Sequence, residues 1–165
     1  MKFEKTEVWG FEHSIRGLRN PLESWGKSDS GYGCYDGAFV FCEGCNSKEN
    51  KTCNCKEFVI GKNDLELMQK LIKAGSEHRK FMRQIFIQTE IEANVYEWLK
   101  MENKFIDKSV LPDNFENMQE IKRTISMNYE VAYSTKYKYG KDYDNWLKTL
   151  PYSNELIFIG EQNDK

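Results

Sequence analysis

Residues 85–93 constrain the fold more than any other stretch. Ile85, Ile87, Thr89, Ile91 and Ala93 alternate with Phe86, Gln88, Glu90 and Glu92, and a period of two places the first set on one face of a strand and the second on the other. Just upstream, Leu65, Met68, Leu71 and Ile72 recur at helical spacing behind Asn63 or Asp64, either of which suits a helix cap, and the stripe closes at Gly75. Between helix and strand lie Glu77, His78, Arg79, Lys80 and Arg83. A polar, cation-rich turn at such a junction is a common place for ligand-contacting groups.

The remaining elements follow from the same periodicities. Residues 2–9 alternate loosely as a short strand, and Phe11, Ile15 and Leu18 share one helical face that Asn20-Pro21 ends. Asn94 opens a helix carrying Val95, Trp98 and Leu99. Met118, Ile121, Ile125, Tyr129 and Ala132 predict a long helix within residues 115–139, broken by Gly140. Residues 143–150 read as helical up to Pro151, and residues 155–159 as a strand. Residues 21–57, rich in Ser, Gly, Asp, Asn and Cys, form a Cys-rich loop insertion. The mixture predicts an α+β class, and 165 residues predict a single domain over 1–165.

Lys and Arg number 24 against 26 Asp and Glu, so no net field draws the chain to nucleic acid or an anionic membrane. No apolar run is long enough for a membrane span, and the opening Met1-Lys2-Phe3-Glu4-Lys5 does not read as a signal peptide. The five cysteines are odd in number and fall between Cys34 and Cys55, which does not describe a disulfide framework. A reducing, cytoplasmic setting is expected.

Two constellations carry chemistry. Cys42 and Cys45, then Cys53 and Cys55, supply four thiolates that could close the loop around a structural zinc; the alternative is a loop of free thiols. Arg16 and Arg19 lie three apart on the first helix and, with His78, Arg79 and Arg83, could gather around anionic oxygens; the alternative is a solvated helix face. Trp9, Trp25, Tyr32 and Tyr35 could stack on a base or fill a core.

Over residues 62–102 the order of helix, Lys-Ala-Gly turn, histidine, strand and aromatic-rich helix resembles the flavin-dependent thymidylate synthases, whose shared stretch reads helix, K-x-G-H-E-S-P-F-E-H, strand, then W-F-R-H-R. The resemblance implies a thymidylate synthase-like fold of mixed helices and a small sheet, a homo-oligomer and a nucleotide-like ligand. The enzymes' R-H-R-x-x-S-x-N-x-x-S-x-R signature, which binds flavin and nucleotide phosphates, would begin at Lys100-Met101-Glu102 and is not rebuilt downstream, so FAD is not expected. Arg83 stands near the histidine of the F-E-H turn, where an arginine fork suits phosphate or carboxylate. Arg123 resembles the arginine that a late helix of those enzymes extends toward the pyrimidine nucleotide.

Residues 11–21 and Tyr152-Ser153 beyond Leu150-Pro151 resemble a group of uncharacterised phage and prophage proteins of Gram-positive bacteria. The function expected is a phage-type protein, without evident catalytic residues, in the host cytoplasm that binds and sequesters a nucleotide-like ligand, a candidate host-defence signal, in a cationic pocket. The alternatives are an active thymidylate synthase-like nucleotide enzyme and a zinc-stabilised protein that binds and inhibits a host protein.

Overall fold

The structure, a computed structural model, describes residues 1–33, 57–102 and 120–160. In chain order the elements are β1 (Lys2–Trp9), α1 (Phe11–Arg19), β2 (Gly31–Gly33), β3 (Glu57–Val59), α2 (Lys62–Lys73), β4 (Phe86–Ala93), α3 (Val95–Met101), β5 (Ile121–Asn128), α4 (Tyr129–Thr135), α5 (Lys141–Lys148) and α6 (Ser153–Leu156), with 3-10 turns at Asn20–Leu22, Trp25–Lys27 and Arg79–Gln84. This is an α+β chain. The domain expected over residues 1–165 divides by its internal contacts into two compact units, one of Met1–Trp9 with Ile85–Lys165 and one of Gly10–Gln84. No helix among the described residues is long and apolar enough to cross a membrane.

The first unit is built on an antiparallel sheet of order β1-β4-β5. The alternation in β4 has its physical outcome here: Ile87, Thr89, Ile91 and Ala93 are buried while Phe86 and Gln88 are exposed. The pairing of β1 with β4 steps from Glu4↔Glu90 to Glu7↔Gln88, so β1 carries one extra residue, and Lys5 takes the left-handed φ of 50° at this bulge. The buried Thr89 hydroxyl is satisfied there, bonded to Thr6 Oγ1 at 2.9 Å and to the Glu4 carbonyl at 3.1 Å. Ile91, Ala93 and Trp98 form a core cluster against which Phe3, Ile121 and Ile125 pack, and Phe3 also stacks on Trp146 of α5 with ring centres 4.4 Å apart. Asn94 caps α3 in a reciprocal box: its side chain accepts from Glu97 N at 2.9 Å, and the Glu97 carboxylate accepts from Asn94 N at 3.1 Å.

Two expectations are corrected in this unit. Residues 121–128 form a strand, not part of a long helix, and the helix α4 starts only after Asn128, whose side chain accepts from Val131 N at 3.0 Å. Ile121 and Ile125 are four apart, a spacing that one face of a strand and one face of a helix share. Arg123 occupies the same period-two row, with its guanidinium 5.1 Å from the centre of the Trp98 ring and 3.4 Å from a Glu102 oxygen. It therefore lies on a strand rather than on the late helix that the resemblance implied. The second correction concerns residues 155–159: Leu156 closes α6, and Leu156, Ile157 and Phe158 are all buried without joining a sheet. A short apolar run signals burial equally well in either backbone conformation.

The Gly10–Gln84 unit packs α1, α2 and the Arg79–Gln84 turn around Phe11, Ile15, Ile60, Met68, Ile72, Phe81 and Met82, all buried. The buried Ser14 hydroxyl donates to the Phe81 carbonyl at 3.0 Å, tying α1 to the turn. A two-stranded antiparallel sheet pairs β2 with β3, so the stretch read as a loop from 21 to 57 carries strand structure at residues 31–33 and reaches β3 at 57. Gly75 follows α2 at φ 116°, a conformation that glycine adopts without a side-chain clash. The start of α2 differs from expectation: the cap position is Gly61, and Asn63 and Asp64 lie inside the first turn.

Candidate functional site: a cleft braced by a buried carboxylate

Asp64 is fully buried and collects bonds from two parts of the Gly10–Gln84 unit, α1 and the segment 28–30. Arg19 Nε donates to one carboxylate oxygen at 2.5 Å. The Ser28 and Ser30 hydroxyls donate to the other, each at 2.6 Å, with Asp29 N at 3.2 Å. Burial pushes the Asp64 carboxyl up, but the bonds from Ser28, Ser30 and Arg19, with the charge of Arg19, outweigh it and hold the group below its ordinary value. The favoured state is an ionised carboxylate with a buried arginine as its partner.

Asp29 completes the brace from the other direction. Its carboxylate accepts from Asn63 N at 2.9 Å and from Asp64 N at 3.1 Å, so the amides of the first turn of α2 are capped by a residue far away in sequence. The Ser30 hydroxyl also accepts from Gly61 N at 2.8 Å. Gly61 is required by this approach: a β-carbon there would stand 2.2 Å from Asp29 Cγ and 2.4 Å from the Asp29 carbonyl oxygen. Residues 28–30 are thereby strapped onto α2.

The strap and α1 line a cleft of about 740 Å³, a size within the usual range for small-molecule sites. Glu12, His13 and Arg16 enter from α1, Trp25 and Tyr32 from the strap side, and Phe58 from β3. The Trp25 indole donates to Asn20 Oδ1 at 2.8 Å, and the Tyr32 hydroxyl donates to Glu12 Oε2 at 3.0 Å. The Tyr32 ring meets Phe58 edge-on at 5.4 Å. Although anchored, Trp25 and Tyr32 remain 51% and 56% exposed, so both rings are accessible from solvent. Arg16 is exposed and bonds to no carboxylate among the described residues.

The five cations expected to form one group do not all line this cleft. Arg16 and Arg19 both line the cleft, but Arg19 is buried and spent on Asp64, with its Nη1 donating to the Ser24 carbonyl at 3.3 Å. It is a brace and not a free anion ligand. His78, Arg79 and Arg83 do not line this cleft. Lys80 bonds Glu77 at 2.7 Å and holds its carboxyl below the ordinary value, with Arg83 and His78 contributing to the same field, so these cations gather around Glu77. Arg79 is half-buried and has partners of its own. Cys42, Cys45, Cys53 and Cys55, expected to hold zinc, lie outside the described residues, as do Cys34 and Tyr35. In the sequence Asp64 suits a helix cap and Ser28 and Ser30 fall in the Ser-rich loop; the spacing that sets both serines on one side of an extended segment is the signal that joins them. No family model, curated protein or solved structure matches the chain.

Proposed function

We propose that the chain binds and sequesters a nucleotide-like ligand in the cleft of the Gly10–Gln84 unit, without a flavin and without chemistry on the ligand. The observation that carries this reading is the pairing of two exposed aromatic rings, Trp25 and Tyr32, with the uncommitted cation Arg16 along one cleft. Aromatic faces stack on bases whatever their sequence, and an arginine fork matches phosphate oxygens. His13 beside Arg16 adds a second group able to meet an anion. The proposal keeps the relation to flavin-dependent thymidylate synthases: its support is that α2, the Arg79–Gln84 turn, β4 and α3 follow one another in the order that resemblance implies. The likeness to phage proteins gives the reading its setting, removal of a host nucleotide signal from the host cytoplasm.

Mass spectrometry of small molecules released on denaturing the purified protein tests the reading. A nucleotide supports it, a flavin favours the enzyme instead, and an empty cleft that also takes up no added nucleotide counts against both. Arg16→Ala should weaken nucleotide binding by about 1.5–3 kcal/mol, the worth of a charge-assisted hydrogen bond, while Arg83→Ala leaves affinity unchanged. Calorimetric titration of both variants checks the contrast.

A further inference from the structure

We infer that the base taken by this cleft is guanine; the inference rests on the nucleotide reading above. Glu12 and Arg16 are four residues apart on α1 and share one strip of the helix. Both line the cleft, yet no ion pair joins them among the described residues. Glu12 is instead fixed by the Tyr32 hydroxyl at 3.0 Å. That bond uses one of about four lone-pair sites on the carboxylate, so the group keeps acceptor capacity toward a ligand.

The hydrogen-bonding edge of the base then decides. Guanine presents two adjacent donors, the ring N1–H and the exocyclic N2 amine, and a carboxylate accepts both with its two oxygens. Adenine and cytosine each set a ring acceptor beside their amine, and thymine flanks its single N–H with two carbonyl oxygens. Each of those would turn a lone pair toward the anion, which costs free energy in a partly desolvated site. A guanidinium compound carries the same pair of donors but brings a positive charge toward Arg16, whereas a guanine nucleotide brings its phosphate there. Trp25 and Tyr32 supply faces for the ring between these two ends, and Phe58 buttresses Tyr32 edge-on.

Titration calorimetry of the full chain with GMP, AMP and dTMP tests the inference. GMP should bind at least tenfold more tightly than the other two. Glu12→Gln replaces one oxygen by a donor and should abolish that preference through loss of GMP affinity, with AMP affinity kept. Tyr32→Phe keeps the ring and removes the hydroxyl that orients Glu12, and should cost GMP alone a smaller factor. Arg16→Ala should weaken GMP and AMP alike. Equal binding of the three nucleotides, or an unchanged preference in Glu12→Gln, overturns the guanine assignment and leaves the nucleotide reading standing. Failure of every nucleotide to bind overturns both.

Discussion

Arg19 and Asp64 each leave a buried charge behind if the other is removed. Asp64→Asn should therefore destabilise the Gly10–Gln84 unit by about 3–5 kcal/mol, the cost of an uncompensated buried ion, whereas Asp64→Asn combined with Arg19→Met should cost less than the sum of the two single changes. Urea unfolding of the three variants measures this. The pH dependence has a definite sign. The Asp64 carboxyl titrates lower in the folded chain than its ordinary 3.8, so its contribution is complete above that value and is lost as pH falls through the lower folded value. Between pH 6 and pH 3, Asp64→Asn should lose less stability than the parent chain. None of this was legible at the level of single residues: Arg16 and Arg19 are equivalent by spacing, and only the fold shows that one is buried against a carboxylate and the other open to the cleft.

Elements were legible where one periodicity excluded the other. In β4 adjacent positions alternate in burial without exception through Ala93, and α2 carries a helical stripe ending in glycine, so both were readable from residue order. In β5 the half-buried Ile121 and Ile125 sit four apart and the position between them is filled by the exposed Arg123 lying over Trp98, so the polar member of that row hid the strand. The start of α2 was misread because its cap, Asp29, comes from a distant segment, and a nearby Asn63 or Asp64 satisfies the same local pattern. The start of α3, by contrast, is capped by its own Asn94, as its sequence indicates. Asn94→Ala should cost about 1 kcal/mol and Asn94→Ser only a few tenths; thermal unfolding of the pair separates loss of the cap from a general effect of substitution.

At the scale of the whole molecule, the Gly10–Gln84 unit leaves and rejoins the sheet at paired positions, since Trp9 is the register partner of Phe86. It is an insertion in a β-hairpin. Replacing residues 10–84 by a short glycine-containing loop should leave a sheet that still folds, because the pairing of β1 with β4 needs no residue of the inserted unit and short glycine-containing loops join antiparallel strands. Circular dichroism and a single cooperative unfolding transition would check this, and a chain without sheet signal would show that the insertion is needed for strand pairing. The same register has a consequence during synthesis. β1 leaves the ribosome before the whole inserted unit, and at the usual pace of translation it waits roughly several seconds for β4. Throughout that wait Phe3, Val8 and Trp9 belong to an unpaired strand, and Lys2, Glu4, Lys5 and Glu7 are the charges placed among them. Charges so placed keep a solitary strand from pairing with a neighbouring nascent chain, so the polar residues of β1 protect the newborn protein before they serve the finished one.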